Sequence, residues 1–562
     1  MIKAENQKKR KPFTAQDTIP YKEIYKDGIC RTDDNYYSKM VQFYDINYQL
    51  AQNDDKAAIF ENYCEFLNSF DSSVEVQITF LNQQVNFDEY AKNIDIPEQD
   101  DCFNDIRKEY SDMLKMQLSK GNNGLVKTKY ITFSIKADNL RNAKSRLERI
   151  EASVLNNFKV MGAMAEPLNG VERLKILHDV MNMDTKESFH FHYGMVAKTG
   201  LQTKDFIAPT GFDFRNDSYF RMGQTFGCVS YLQITSPELT DKLLADLLDL
   251  EENLIINMHL RPIDPKAAIK SLKSTLSNIQ KMKIEEQKKA VRSGYDMDII
   301  PTDISTYGED VEGLLNEIQS RNEKLFELTF LLMNTADNKR KLDNIVYQTA
   351  GIAQKYNCNI RRLQYQQEQG LVASLPLGMN QTGIQRIMTT TSTAIFVPFT
   401  TQELFQGGEA LYYGLNALSN NLIMVDRKRL KTPNGLILGT PGSGKSFATK
   451  REILNVFLIT DDDIIICDPE GEFGALVKAL GRERATVAHL VAGGKDRLNA
   501  MYMVEGYGEQ NPIVEKSQFV MSLIEQIDKR GVGPQHKSII DRCTALVYPE
   551  AENAGRVATL CD

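Results

Sequence analysis

The alternation of apolar and polar residues predicts strands and helices in turn along residues 36–405. Residues 74–80 alternate strictly, as a half-buried β-strand does. Residues 127–135 alternate over most of their length and predict a second strand. A helix is predicted directly after it, over residues 138–158, with Asp138 as its N-cap. This order of elements indicates an α+β arrangement, compatible with antiparallel pairing.

A similar order recurs further along the chain. The predicted elements are a long helix over 262–292, a helix over 311–322, a strand over 324–333, a helix over 337–356 and a strand over 361–367. The long helix carries eight basic residues against three acidic ones. A basic helix of this kind can contact nucleic acid or anionic lipid, but a solvated face is the favoured interpretation.

Length and composition narrow the protein class. A chain of 562 residues is too long for one core and predicts two to four domains. The net charge of −8 argues against a generally basic coat for nucleic acid. No apolar run is long enough for a transmembrane helix, and the basic N-terminus has no apolar segment behind it. The eight scattered cysteines lack zinc spacing. We therefore predict a cytoplasmic protein with free thiols.

The most informative motif is a glycine-rich run that fits the phosphate-binding loop pattern G-x-x-x-x-G-K-[S/T]. Its residues are Gly439, Thr440, Pro441, Gly442, Ser443, Gly444, Lys445 and Ser446, followed by Phe447. An apolar strand is predicted before it, over 435–438, and a helix after it, over 447–458. The alternative is a glycine-rich turn after a strand.

This motif predicts binding of ATP and Mg²⁺. Backbone N–H groups of the turn and the positive end of the following helix attract phosphate. Lys445 is expected to reach the β- and γ-phosphates and to act in catalysis, and Ser446 to ligate Mg²⁺. Phe447 completes the predicted nucleotide-binding set.

A second acidic motif follows the predicted helix. Residues 464–466 predict an apolar strand that ends near Asp468, and Glu470 and Glu472 come next. One interpretation makes Asp468 a Mg²⁺ ligand and Glu472 a catalytic residue. The other makes Asp468 a cap, with acidic residues in the first turn of a helix. The sequence leaves both open.

Two smaller features have ordinary explanations. His190 and His192 alternate around Phe191 and could share a metal on one strand face, but no third ligand is nearby, so ordinary strand positions are favoured. Tyr412 and Tyr413 could stack on an adenine, but aromatic residues in this position are more often packed.

Several segments together resemble a known family, the large conjugative-transfer ATPases of type IV secretion systems, in the branch found in Gram-positive mobile elements. The segments are GLILGTPGSGKSF, IIICDPEGEF, RLNAM, YYGLNALSNNLIMVDR, LPLGMN, IPYKEIYKDGICR and YCEFLNSFDSSVEVQITFLNQ. In RLNAM, Ala500 stands where the family usually has proline. The resemblance covers essentially the whole chain.

The residues and the resemblance together give a domain plan. The polar N-terminus and a boundary near residue 405 come from the residues, and the RecA-type assignment comes from the resemblance. Residues 1–35 would form a flexible arm, and residues 36–405 a large α+β domain, which could contain two subdomains. Residues 406–562 would form a RecA-type P-loop ATPase domain with a parallel sheet. Only its N-terminal half is expected, because no later apolar strand ending in Asp-Glu follows within the sequence. Residues 487–491 are a further predicted strand of this domain.

The resemblance also implies a function. The family assembles as hexamers at the cytoplasmic face of a secretion channel, where ATP hydrolysis drives channel assembly and transfer of DNA or protein. Partners would be other conjugation proteins at the inner face of the membrane, and direct DNA contact stays open. The alternative is a catalytically incomplete nucleotide-binding scaffold that docks such partners. A small-molecule kinase is disfavoured, because residues 470–562 show no arginine-rich lid. We expect ATP binding without robust turnover.

Overall fold

The structure is a computed structural model that describes most of the chain. The described residues are 14–33, 35–46, 48, 51–84, 94–120, 125–183, 189–235, 239–293, 302–320, 323–400, 404, 406, 408–416, 422–430, 432–481, 483–491, 493–504, 511–528 and 532–562. The chain divides into two compact units. We call Met1–Leu436 with Glu452–Asp462 the sheet unit, and Ile437–Arg451 with Asp463–Asp562 the loop unit.

One large sheet dominates the sheet unit. Its strands are β1 (Glu23–Ile24), β2 (Cys30–Asp33), β3 (Tyr36–Phe43), β4 (Val74–Gln84), β5 (Leu125–Lys136), β6 (Ala165–Pro167), β7 (Phe212–Asp213), β8 (Phe220–Met222), β9 (Thr225–Ile234), β10 (Leu254–Pro262), β11 (Leu325–Ala336), β12 (Cys358–Arg362) and β13 (Arg386–Thr389). Among the described residues the sheet has 13 strands in the order β1-β2-β3-β5-β4-β10-β11-β9-β8-β7, with β6 beside β3, β12 beside β9 and β13 beside β11. A separate two-stranded sheet pairs β14 (Leu411–Leu415) with β15 (Leu422–Val425).

Helices follow the strands in the sheet unit and make up the regular structure of the loop unit. They are α1 (Ala15–Thr18), α2 (Asn53–Asn68), α3 (Asn104–Lys120), α4 (Leu140–Met161), α5 (Gly170–Met181), α6 (Tyr193–Thr199), α7 (Lys242–Leu248), α8 (Pro265–Arg292), α9 (Thr302–Ser320), α10 (Lys339–Lys355), α11 (Gln367–Ser374), α12 (Thr390–Ala394), α13 (Lys445–Ile459), α14 (Gly474–Leu480), α15 (Pro512–Ile527) and α16 (Pro534–Asn553), with short 3-10 turns at Thr203–Phe206 and Arg427–Arg429.

The strand predicted over 74–80 is confirmed as part of β4, which pairs antiparallel with β5 and β10. Its apolar residues all enter one core on one face of the sheet: Val74, Val76, Ile78 and Phe80. Helices α2 and α4 contribute Phe66 and Phe158 to the same core, with ring centroids 5.3 Å apart. Burial of these large side chains is the main stabilising contribution of this face.

Polar residues of β4 such as Gln77 and Thr79 are buried as well, which the alternation did not predict. Gln77 donates to Asn257 Oδ1 at 2.7 Å and to the carbonyl of Leu375 at 3.0 Å, and its Oε1 accepts the N–H of Gly378 at 2.7 Å. Thr79 Oγ1 also donates to Asn257 Oδ1, at 2.7 Å. Buried polar groups need such partners. The segment after α11 therefore covers the polar face of the central strands.

The helix predicted over 138–158 is confirmed as α4, with its start shifted by one residue. Asn139 rather than Asp138 is the N-cap, and its side chain accepts the N–H of Asn142 at 2.9 Å. The helix ends at Met161, and its C-cap Gly162 has a φ of +83°, the left-handed conformation that glycine adopts without strain.

The long basic helix is confirmed as α8, which packs against α9. Ala268 and Ile279 are buried, while Lys266, Lys270 and Lys273 are exposed. These lysines lie on a solvated face of the helix, as favoured from the sequence.

The prediction of a RecA-type domain with a parallel sheet is wrong. Every strand pairing in the described residues is antiparallel, and no strand is described within 437–451 or 463–562. The segments predicted as its strands, 435–438, 464–466 and 487–491, have no ladder partners there; Leu438 is 81% exposed and Ile465 96% exposed. Parallel strands pair with strands distant in sequence and are buried on both faces, so apolar runs alone do not create such a sheet.

Within the described part of the chain, none of the helices combines the length and the apolar character needed to cross a membrane. The predicted domain boundaries stay predictions. Of the predicted arm, residues 1–13 lie outside the described residues, and Glu23–Ile24 and Cys30–Asp33 pair as strands.

Candidate nucleotide-binding loop

The glycine-rich run forms an exposed turn at the start of α13. Gly442 and Gly444 have φ values of +77° and +92°, a region that other residues rarely adopt. The N–H of Ser443 donates to the carbonyl of Thr440 at 3.1 Å and closes the turn. A Cβ at Gly439 would lie 2.4 Å from the hydroxyl of Ser443, so that side chain would have to rotate away. The sequence therefore favours this local conformation through the two glycines at positive φ.

Lys445 is the first residue of α13, and its ammonium folds back over the loop. Its Nζ donates to the carbonyl of Gly439 at 3.0 Å. Thr440, Pro441 and Lys445 are exposed, and Ser446 is half-buried. Phe447 is 77% exposed, so it is free to contact a ligand but is not positioned by packing. The lysine must leave the Gly439 carbonyl to reach a phosphate.

The second half of α13 is held by an ion pair in the sheet unit. Arg427 Nη1 lies 2.6 Å from Glu452 Oε1, and the hydroxyl of Tyr413 donates to the same oxygen at 2.9 Å. Burial, reinforced by this bond to the carboxylate, raises the pKa of Tyr413 to about 12. Arg427 also donates from Nε to the carbonyl of Pro433 at 3.0 Å. One guanidinium thus binds both the helix after the loop and the segment before it.

The last turn of α13 is held by Arg107 of α3. Its Nε donates to the carbonyl of Leu458 at 3.1 Å, in a side chain only 1% exposed. The carboxylate of Asp101 accepts from both terminal nitrogens, at 2.5 and 2.8 Å. Asn104 and Gln99 accept one further bond each. A bidentate carboxylate and three neutral acceptors compensate the buried charge.

The two-stranded sheet of β14 and β15 packs against α3. Tyr412 is buried with Leu422 and Met424 against Tyr110 and Leu114 of α3. Tyr412 is therefore packed, as the sequence favoured, and the Tyr413 hydroxyl is bound to Glu452. We call β14, β15, α3 and residues 452–459 of α13 the anchor cluster. Sequence reasoning missed it, because Arg107, Arg427 and Glu452 belong to no local motif.

Asp468 acts as a local cap in this structure. Its two carboxylate oxygens accept the N–H groups of Gly471 at 2.8 Å and Phe473 at 2.9 Å, just before α14. The hydrogen bond from Phe473 is the main reason that the pKa of Asp468 lies below its usual value. Glu470 and Glu472 are exposed on the same turn. This geometry matches the capping role of Asp468, but Glu470 and Glu472 precede α14 and do not lie in its first turn.

Other candidate ligand groups do not assemble into a metal centre. His190 and His192 lie outside any strand, and His192 precedes α6. In the part of the chain that the structure describes, no three His, Cys, Asp or Glu side chains form a group able to hold a metal ion. The cysteines are free thiols, as predicted.

The sheet unit also has an open cleft of about 480 Å³ lined in part by Tyr231, Arg361 and Arg362. Arg362 is paired with Asp343 at 2.7 Å, and Arg361 donates to Gln233 at 2.6 Å. None of the residues predicted from the phosphate-binding motif lines this cleft. The loop therefore stays the better candidate for polyphosphate.

The loop's donor set suits ATP with Mg²⁺. Backbone N–H groups, the Lys445 ammonium and the Ser446 hydroxyl are the groups that such loops direct at phosphate and metal. An added Cβ at Gly442 or Gly444 would meet open space, so the turn leaves room for a ligand above it.

Comparison with known proteins adds no identification. No protein-family model matches the chain, and a search of curated proteins finds no significant relative.

Proposed function

We propose that the chain binds ATP and Mg²⁺ through residues Gly439 to Ser446. One observation carries this proposal: a turn with the full phosphate-binding pattern, glycines at positive φ and an exposed lysine, at the start of a 15-residue helix. Amides at such a helix start favour a phosphate anion. Lys445 supplies positive charge to the phosphates, and the hydroxyl of Ser446 binds the metal.

We further propose that nucleotide binding serves conjugative DNA transfer by a type IV secretion system. The support is the resemblance of segments such as GLILGTPGSGKSF and IIICDPEGEF to the large ATPases of these systems. In this proposal the chain works as a motor ATPase, as a homo-hexamer at the inner face of the cell membrane. Its partners are other secretion proteins, through which it associates with that membrane.

One observation favours a second candidate function, a nucleotide-binding scaffold without robust turnover. Both oxygens of Asp468 are engaged by backbone amides, so in this conformation its carboxylate caps a turn. Efficient phosphoryl transfer needs metal ligands and charge stabilisation around the γ-phosphate. A scaffold would retain the loop and dock partners without this machinery.

The first experiment tests binding of a non-hydrolysable ATP analogue with Mg²⁺ by calorimetry. Lys445→Ala is expected to weaken binding by about tenfold or more, because a charge-assisted contact to phosphate is lost. Lys450→Ala is the matched control: it removes a lysine from the same helix whose ammonium lies over the Phe473 ring. Equal affinity in wild type and Lys445→Ala, or no binding by wild type, would refute the proposed site.

The second experiment separates motor from scaffold. Steady-state ATP hydrolysis at about 1 per second or faster, abolished in Lys445→Ala, would support a motor. Analogue binding with no turnover above the Lys445→Ala background would support the scaffold.

A further inference from the structure

The ion pair of Arg427 and Glu452 joins the segment that precedes the candidate loop to the helix that follows it. Glu452 lies seven residues after Lys445 on α13, and Arg427 binds it at 2.6 Å. Arg427 also donates to the carbonyl of Pro433, before the loop. A Cβ at Gly435 would lie 2.7 Å from Arg427 Nη2, so the entering segment runs directly beside the guanidinium.

This pair is more constrained than an ordinary surface ion pair. The side chains of Arg427 and Glu452 are 33% and 22% exposed, and the hydroxyl of Tyr413 adds a third group. The planar guanidinium binds two acceptors at fixed angles, which a lysine could not reproduce. By contrast, Lys428 pairs with Glu409 and Asp462 at side chains that are each about half exposed.

α13 continues from the loop into the anchor cluster without a break. Residues 445–451 belong to the loop unit and residues 452–459 to the sheet unit. Beyond Glu452 the helix is held by Arg107 at Leu458 and by an edge-to-face contact of Phe457 with Phe103, at 5.1 Å. A helix transmits displacement along its axis, because its backbone hydrogen bonds keep its length fixed.

The helix also carries a buried group that its present position leaves unsatisfied. Asn455 is fully buried, and neither its Nδ2 nor its Oδ1 has a hydrogen-bond partner in the described structure. A buried amide without partners destabilises the state that contains it. The described packing of α13 therefore leaves Asn455 without the hydrogen bonds that a buried amide needs.

We propose that the Arg427–Glu452 pair, with Tyr413, couples nucleotide occupancy of the loop to the anchor cluster in the sheet unit. The proposal rests on the proposed function, since ATP is the ligand. When Lys445 leaves the Gly439 carbonyl for phosphate, the loop and the start of α13 rearrange. Arg427 holds the entering segment and the helix together, so β14 and β15 respond as well. Arg427 and Glu452 are positioning residues and do not touch the nucleotide.

Hydrogen–deuterium exchange with and without saturating Mg²⁺ and a non-hydrolysable ATP analogue tests the coupling on the full chain. In wild type, exchange is expected to change at 439–446 and also at 411–415 and 422–425. In Arg427→Ala and Glu452→Gln, the change at the loop persists, while the change at the two strands falls by about threefold or more. Lys428→Ala, the matched control from the same turn, behaves as wild type.

The outcomes separate the two claims. Analogue binding with exchange changes confined to 439–446 in wild type overturns the coupling and leaves the nucleotide site intact. The coupling is also overturned, with the nucleotide site intact, if Arg427→Ala keeps the full wild-type change in exchange at 411–415 and 422–425. No analogue binding by wild type overturns the nucleotide site and the coupling together.

Discussion

Arg107 donates from Nε to the carbonyl oxygen of Leu458, 3.1 Å away, although 351 positions separate the two residues in the sequence. The contact joins α3 to the last turn of the helix that starts at the candidate loop. The carbonyls at a helix end have no partner within the helix. A buried guanidinium supplies one here, so the C-terminal end of α13 is held by a long-range interaction.

We expect Arg107→Ala to destabilise the protein by about 3 kcal/mol or more, because Asp101, 10% exposed, would lose its cation and stay largely buried. Chemical denaturation followed by circular dichroism measures this. Arg149→Ala, an exposed arginine of α4, is the control and should change stability by less than about 0.5 kcal/mol. If both variants changed the free energy of unfolding by similar amounts, the proposed stabilisation by buried Arg107 would be contradicted.

Asn455→Leu is expected to stabilise the protein by about 1 kcal/mol or more, since it replaces a buried amide without partners by an apolar side chain of similar size. The same denaturation experiment measures it. A decrease in the unfolding midpoint would show that the amide has a polar partner in solution.

Gln77→Leu is expected to cost about 3 kcal/mol, because the N–H of Gly378 and the carbonyl of Leu375 would lose their partner inside the protein. Gln364→Leu, at an exposed position near α11, should be nearly neutral. Limited proteolysis is a second readout. If residues 373–378 are held by Gln77, they become susceptible in Gln77→Leu and stay protected in the control.

His259 should make stability depend on pH. Burial lowers the pKa of this side chain to about 4, while its Nε2 is 2.8 Å from the carbonyl of Ala373. The unfolded chain, with a pKa near 6.5, binds the proton first as the pH falls. The free energy of unfolding therefore keeps the full stabilisation from neutral His259 above about pH 6.5. It falls by about 3 kcal/mol in total between there and about pH 4.

The difference between wild type and His259→Gln isolates this effect from that of the carboxylates. The unfolding free energy of wild type should fall more steeply than that of the variant between pH 6.5 and pH 4. Parallel curves would show that His259 takes up a proton equally in both states.

The elements with strong local signals could be predicted from sequence. The strict alternation over 74–80 located β4, because a strand that faces an apolar core needs an apolar residue at every second position. The start of α4 was within one residue, since Asp138 and Asn139 can both cap a helix and only backbone geometry selects between them. The turn at the loop could also be predicted, because glycine adopts positive φ values without strain.

Tertiary structure decided the features that depend on distant partners. Ile465 belongs to an apolar run, yet it is exposed and outside any ladder, because a strand needs a neighbouring strand to satisfy its backbone. Gln77 has a polar side chain, yet it is fully buried, because residues 373–378 supply its partners. Arg107 reaches Leu458 only once α3 and α13 have packed. Local chemistry therefore determined β4, α4 and the turn of the candidate loop, while strand pairing and the anchor cluster followed from contacts between residues far apart in sequence.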